Sequence, residues 1–157
     1  MTTRFRVTAL AADAFAPLHA LDDDTLRARG MRRMIADEKP GFPCRVSLVD
    51  AEPGERVILL THTHHDVDSP YRGSGPIFVR EAATTATFAP GEVPELLRSR
   101  LLSLRAYDHD AMMIGCEVVA GAELEAAIER QFDDPAAAYL HVHNARPGCF
   151  NCAIERA

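Results

Sequence analysis

The C-terminal segment "YLHVHNARPGCFNC", residues 139 to 152, carries two histidines two residues apart and two cysteines three residues apart. Imidazole nitrogens and thiolate sulfurs are ligands that zinc and ferrous iron commonly take in proteins. The segment is therefore a candidate zinc or iron site, with His141, His143, Cys149 and Cys152 as metal ligands. The two histidines equally suit acid–base chemistry, because an imidazole titrates near neutral pH.

The expected hairpin sets which of these side chains can meet. A tight turn over residues 145 to 148 would pair the flanking strands and place His141 opposite Cys152. Because side chains alternate along a strand, this register predicts His141, His143 and Cys152 on one face and Cys149 on the other. Three ligands on one face would leave a bound metal ion one open position.

The cysteine pair permits two further interpretations. Cys149 and Cys152 could form a thiol redox switch, although a thioredoxin-type pair begins a helix and only five residues follow Cys152. The segment could also be a plain terminal hairpin with two half-buried cysteines. These alternatives stay open on sequence alone.

A second group of candidate ligands lies in "THTHHDVDSP", from residue 61. His62, His64, Asp68 and Gly75 follow the spacing of the first cupin motif, so His62, His64 and Asp68 are secondary candidates for a metal site. The segment departs from that motif because the acid is aspartate where glutamate is expected. The second cupin motif is not recognisable downstream.

The loop in "DSPYRGSGPIFVRE" has the composition of an anion-binding segment. Its glycines let backbone amides approach a ligand, and a guanidinium suits a carboxylate or phosphate. Tyr71, Arg72 and Ser74 are therefore candidate ligand-binding residues. Asn144 and Arg146 would join them if this loop and the terminal hairpin face one pocket. Turn formation alone would explain the same glycines and proline.

Alternating strand patterns dominate the rest of the chain. Nine segments have strand signals; they begin at Phe5, Met31, Arg45, Arg56, Pro76, Leu102, Met112, Ala138 and Phe150. Residues 22–29, 94–101 and 122–132 have helix signals. The pattern predicts a single α+β domain over residues 1–157, mostly antiparallel, with a curled sheet or partial barrel and two or three short helices.

Composition narrows the partners and the compartment. The net charge is −6, and the arginines are spread along the chain without a basic run, which disfavours nucleic-acid binding. The longest apolar runs are too short to span a bilayer, and the N-terminus lacks the apolar core of a secretory signal. A cytoplasmic location with reduced cysteines is expected.

Four stretches together resemble a known family. "KPGFPCRVSL", "DSPYRGSGPIFVRE", "LLSLRAYD" and "YLHVHNARPGCFNC" are similar to the small bacterial proteins catalogued as domain of unknown function 1203. The resemblance extends from "FRVTAL" to the end of the chain, and it carries no reaction, cofactor or catalytic residue with it.

The function must therefore be inferred from the site residues. The leading hypothesis is a metal-dependent, enzyme-like domain whose pocket lies between the loop of residues 68–76 and the hairpin of residues 139–152. The alternatives are a non-enzymatic module that binds a small anion or a protein partner without metal, and the redox switch.

Overall fold

The computed structural model describes residues 4–157, whose strands form two antiparallel sheets. The larger sheet contains β1 (Phe5–Thr8), β5 (Leu101–Tyr107), β6 (Met113–Ala120), β7 (Tyr139–Asn144) and β8 (Phe150–Arg156). Its strand order is β1-β8-β7-β5-β6. The smaller sheet contains β2 (Arg32–Ile35), β3 (Arg56–His65) and β4 (Gly73–Arg80), in that order.

Three short helices accompany the sheets in the described part of the chain. They are α1 (Ala16–His19), α2 (Asp23–Ala28) and α3 (Leu124–Phe132). The Asp22 carboxylate caps α2 by accepting a hydrogen bond from the Thr25 backbone N–H at 2.7 Å. The helix ends before Gly30, whose φ of 79° lies in the left-handed region that glycine adopts without strain. No helix of residues 4–157 is long and apolar enough to cross a membrane.

The main core lies between the larger sheet and α3. Leu102, Leu104 and Ala106 alternate along β5 and point toward Ile128 and Phe132 on the buried face of α3. A second cluster packs one face of the smaller sheet against Leu26 of α2 and against Phe15. The opposite face of β7 and β5 is thereby left for polar side chains, and it is where the candidate site lies.

The α+β class is confirmed, and the sheets do not close into a barrel. Two predicted elements differ from the structure. Residues 94–101 form only a 3₁₀ turn, Glu95–Leu97, because β5 already begins at Leu101. The segment from Arg45 is not a strand: it turns, with single bridges at Pro43–Asp50 and Cys44–Phe78.

This turning segment connects the two sheets. The Arg45 backbone N–H donates to the Phe78 carbonyl of β4, and the Arg45 side chain reaches β8. A second connection runs from the end of β3, where His65 Nε2 lies 2.6 Å from the Tyr139 hydroxyl of β7. The seam between the sheets is therefore held by polar side chains.

Candidate functional site: an arginine cavity and a histidine cluster

The terminal hairpin forms as expected, but its register differs from the predicted one. His143 pairs with Phe150, whereas His141 pairs with Ala153 and Cys152 pairs with Val142. The ladder shifts between residues 142 and 143, and one extra residue of β8 fits there as a bulge. The prediction that Cys152 shares a face with the two histidines is therefore wrong. Cys152 lies in the main core beside Val142.

The four cysteines are free thiols, and no two of them lie at disulfide or metal-sharing distance. Cys152 is buried, and burial raises the pKa of its thiol to about 12. Cys149 is half-buried and accepts a hydrogen bond from Asn144 Nδ2 at 3.2 Å. Within residues 4–157, no three His, Cys, Asp or Glu side chains form a ready-made metal site.

Arg45 is the most unusual charged residue of the molecule. Only 1% of it is exposed. Its Nε donates to the Phe150 carbonyl at 2.7 Å, and its Nη1 donates to the Pro43 carbonyl. No carboxylate in the described chain forms an ion pair with it, although six other arginines have such partners. Burial lowers the pKa of this guanidinium, but an arginine keeps its proton in proteins.

A cavity of about 330 Å³ opens beside Arg45. Its polar lining consists of Arg45, Arg100, Asn144 and Cys149, and its apolar lining includes Leu59 and Phe78. A neighbouring cavity of about 430 Å³ shares Arg100 and Asn144 with it and adds Arg146. Three guanidinium groups therefore line two adjoining cavities.

One carboxylate offsets part of this positive charge. Asp50 Oδ1 accepts from Arg100 Nη2 at 2.8 Å, and the pair is mostly buried. Arg146 is exposed and makes no ion pair within residues 4–157. The adjoining cavities thus hold an excess of positive charge, in contrast to the −6 net charge of the whole chain.

A further cavity, of about 540 Å³, lies nearby and differs in this respect. Its lining includes Lys39 and Arg98, but these pair with Glu52 and Glu125. It offers apolar contact without an unpaired positive charge, and its lining also includes the carboxylate of Glu95.

The predicted ligand-binding residues separate into two groups. Asn144 and Arg146 line the arginine cavities. Tyr71, Arg72 and Ser74 are exposed and line neither of them, and Arg72 pairs with Asp66. The loop and the hairpin do meet, through His65: its Nδ1 lies 2.8 Å from the Tyr71 carbonyl oxygen, and its Nε2 contacts the Tyr139 hydroxyl.

Three histidines, His64, His141 and His143, form a cluster on the polar face of β7, next to the ring of Phe150. The ring centroids of His64 and His143 are 4.8 Å apart, those of His64 and His141 are 6.1 Å apart, and those of His141 and His143 are 6.2 Å apart. The His64 ring stacks on the Phe150 ring, with a centroid distance of 5.3 Å and an interplanar angle of 11°.

Burial holds these imidazoles neutral. Desolvation lowers the pKa of His141 to about 3, and it lowers the pKa of His143 and of His64 to about 4 each. The neighbouring Arg105 and the other histidines lower each value further. At neutral pH each ring therefore has one N–H and one nitrogen lone pair.

Two buried ring nitrogens of the cluster have no hydrogen-bond partner in residues 4–157. His143 Nδ1 lies 2.8 Å from the Gly148 carbonyl, which can only accept, so Nδ1 carries the proton and Nε2 carries the lone pair. His143 Nε2 and His141 Nδ1 are both buried, and neither bonds to another group in the described chain. Buried polar atoms are rarely left in this state.

The secondary metal candidates do not all join this cluster. His64 belongs to it, whereas His62 packs its ring between Phe15 and Phe150, with centroid distances of 5.9 and 6.4 Å. Asp68 is exposed in the loop after β3. The cluster therefore joins one histidine of the first motif with the two of the terminal hairpin.

The sequence-based prediction missed Arg45 and Arg100. An arginine enclosed by apolar residues in "FPCRVSL" was the available signal for Arg45, because arginine is almost never fully buried without a partner. Arg100 had no comparable signal, since it lies in the polar stretch "RSR".

The fold and the candidate site together define the class of protein. The chain is an α+β protein with an arginine-lined cavity and an adjoining histidine cluster. A family model described as a protein of unknown function, DUF1203, matches residues 41–156, so the chain belongs to that family. The expected resemblance begins at Phe5, and the family match shows it from residue 41 onward. Searches of curated proteins and of solved structures gave no match to this chain.

Proposed function

We propose that this protein binds a small anion bearing a carboxylate or phosphate group in the cavity beside Arg45. The observation that carries the proposal is a guanidinium that is 1% exposed, lines a cavity and has no carboxylate partner in the described chain. Burying an unpaired charge is strongly unfavourable, and an anion in the cavity would offset that cost.

The donors around the cavity support the same ligand class. The Arg45 guanidinium has five N–H groups, of which two donate to the Phe150 and Pro43 carbonyls. The planar fork of a guanidinium matches the paired oxygens of a carboxylate or phosphate. Asn144 and Arg100 line the same cavity, so neutral and charged donors converge there.

The size of the cavity favours a small molecule. Its volume of about 330 Å³ lies at the lower end of the range of roughly 300–1,000 Å³ for small-ligand sites. Leu59, Phe78 and Pro147 supply apolar contact on the remaining walls. A compact organic acid or phosphate ester would place its anionic group at Arg45 and its carbon skeleton on this apolar wall.

A thermal-shift panel tests the proposal. Phosphate, sulfate and short mono- and dicarboxylates are titrated against the wild-type chain, Arg45→Met and Arg45→Lys. At a ligand concentration one hundred times Kd, binding stabilises the wild type by about 2.7 kcal/mol, which corresponds to about 5–10 °C in Tm. Neither variant should show the shift, because methionine lacks the charge and lysine lacks the planar fork.

A matched variant controls for charge alone. Arg29→Ala removes an exposed guanidinium at the end of α2 and should leave the shift unchanged. If Arg45→Met does not fold, Arg45→Lys and Asn144→Ala carry the test. A wild type that no member of the panel stabilises, or an equal shift in Arg45→Lys, contradicts the proposal.

Thiol labelling gives a second readout at the same place. Cys149 lines the cavity, whereas Cys116 is exposed on β6, away from it. The stabilising anion should slow the reaction of a thiol reagent with Cys149 and leave the reaction with Cys116 unchanged. Equal protection of both thiols would indicate general stabilisation instead of binding at Arg45.

A further inference from the structure

We propose that His64, His141 and His143 bind one divalent transition-metal ion, of the zinc or ferrous class, on the polar face of β7. The spacing of the rings is the first argument. A metal–nitrogen bond of about 2.0–2.1 Å and a tetrahedral angle place the centroids of two ligating imidazoles about 5 Å apart. The His64–His143 distance of 4.8 Å meets this spacing. The His141 ring lies 6.1 and 6.2 Å from the other two, so it must approach them by about 1 Å before all three can bind one ion.

The unpartnered nitrogens are the second argument. His143 Nδ1 donates to the Gly148 carbonyl and thereby leaves the Nε2 lone pair free. Histidine ligands of metals are typically held in this way, with the second ring nitrogen donating to a backbone carbonyl or a carboxylate. His143 Nε2 and His141 Nδ1 are both buried without a hydrogen-bond partner in residues 4–157, and a metal ion would use both lone pairs.

The protonation state supports binding. Metal ions take neutral imidazoles, and the Gly148 carbonyl fixes the proton of His143 on Nδ1, so that Nε2 is a free lone pair. Arg105 lies directly opposite His141 in the ladder between β5 and β7, and its positive charge opposes a metal ion. The ion therefore binds against this guanidinium, and removal of the guanidinium should strengthen binding.

His64 must turn to complete the site. Its Nε2 faces Gly73 on β4: a Cβ added to that glycine would lie 3.1 Å from this nitrogen. The ring is half-buried and stacked flat on Phe150. A half-turn about its Cβ–Cγ bond exchanges Nδ1 with Cδ2 and keeps the ring plane, so His64 can move Nδ1 to the other edge of the ring without losing the stack, while Nε2 stays near Gly73. Three histidine ligands would leave a tetrahedral ion one open position.

The cysteines of the hairpin are outside this ligand set. Cys152 points into the opposite core with a pKa near 12, and Cys149 lies at the arginine cavity. The set therefore differs from the one expected from the spacing "HVHNARPGCFNC". His65 is excluded for another reason, because both of its ring nitrogens already have partners.

Cobalt(II) titration tests the inference directly. The chelator-treated full-length chain is titrated with Co²⁺, a spectroscopic substitute for zinc, and its visible absorption is followed; Zn²⁺ is then added as competitor. The expected result is one equivalent of Co²⁺ with the intense absorption of a four-coordinate ion, displaced by Zn²⁺. His143→Gln and His64→Gln should each weaken binding by at least about tenfold, in line with the loss of a ligand or its support.

Matched variants separate this site from its alternatives. His109→Gln, in an exposed turn, and Cys152→Ser should both retain binding. Arg105→Met should bind more tightly than the wild type. His64→Gln keeps the test interpretable if the buried His143→Gln does not fold, because His64 is half-exposed. The absence of stoichiometric binding, full binding in His64→Gln, or its loss in Cys152→Ser would overturn the inference.

Discussion

Ionisable side chains are buried on both sides of Phe150, but they end in opposite states, charged on one side and neutral on the other. Its carbonyl oxygen holds the buried guanidinium of Arg45, and its ring stacks on His64 in the histidine cluster. Burial disfavours the charged form of both groups. The imidazoles respond by releasing their protons, whereas the guanidinium cannot, so one side has unused lone pairs and the other has unused positive charge.

This difference separates the ligands that each side can take. Lone pairs without donors suit a cation, and N–H groups without acceptors suit an anion. An exposed ion pair would not indicate the charge of a ligand in this way, because exposed pairs contribute little to stability. The two unsatisfied sets come from different parts of the chain, and both contact Phe150, Arg45 through its carbonyl oxygen and His64 through its ring.

Replacing Phe150 should give the largest effect. Phe150→Ala removes a side chain that is 3% exposed, and we expect it to lower the free energy of unfolding by about 3–5 kcal/mol. Phe150→Leu should cost much less and should separate the two sides. It preserves the carbonyl that holds Arg45, so anion binding persists, while metal binding weakens with the loss of the His64 stack. Urea unfolding and the two titrations measure this; equal loss of both ligands in Phe150→Leu would contradict the separation.

Acid should destabilise the metal-free protein through the histidine side. His141 and His143 have folded-state pKa values of about 3 and 4, below the unfolded value of 6.5. The unfolded chain therefore binds more protons below pH 6.5, and stability falls as pH decreases toward 4. We expect a loss of about 1 kcal/mol per pH unit for each of these histidines. Urea midpoints between pH 7 and 4 measure the slope, which His143→Gln should reduce and His109→Gln should not.

Salt should distinguish the two arginines that line the cavities without an ion-pair partner in residues 4–157, Arg45 and Arg146. Arg146 is exposed, so Arg146→Ala should weaken anion binding only a few-fold at low ionic strength, and the difference should disappear at about 1 M salt. The loss in Arg45→Met should persist at high salt, because a buried charge is poorly screened. Affinities measured in a non-binding salt such as sodium chloride provide the comparison.

Two glycines of β4 offer the smallest and most specific change. A Cβ at Gly73 would press on His64 at 3.1 Å, whereas a Cβ at Gly75 would meet no atom within 4 Å. Gly73→Ala should therefore weaken Co²⁺ binding by a few-fold, and Gly75→Ala should match the wild type. Both should leave anion binding unchanged. A similar effect from both glycines would show that β4, and not His64, is responsible.

Local patterns in the sequence predicted most elements, and long-range contacts caused the differences. The hairpin turn was predictable from "RPG", and Gly148 indeed has a φ of 82°. The shifted register was not, because the residues at the bulge have partners outside the hairpin: Arg45 Nε donates to the carbonyl of Phe150, next to the extra residue Asn151, at 2.7 Å. This bulge moved Cys152 into the core.

The predicted helix at residues 94–101 failed for a similar reason. A Cβ on Gly121 would lie 1.7 Å from the Leu97 carbonyl oxygen, so the 3₁₀ turn that precedes α3 packs directly on this backbone. Long-range contacts also explain what the sequence did not predict about the candidate site. Histidine spacing identified His141 and His143 and, as a separate secondary candidate, His64. Their joining in one cluster and the position of Arg45 required the two sheets to be placed together.

The most direct measurement is an NMR titration of the arginine Nε–H groups with the anion that stabilises the protein most. The Arg45 Nε–H donates to the Phe150 carbonyl and should exchange slowly enough to observe. If an anion occupies the cavity, the Arg45 and Arg100 signals should move together along one saturable curve while the Arg29 signal stays in place. An Arg45 signal that does not move while the anion binds would place the ligand elsewhere and contradict the account.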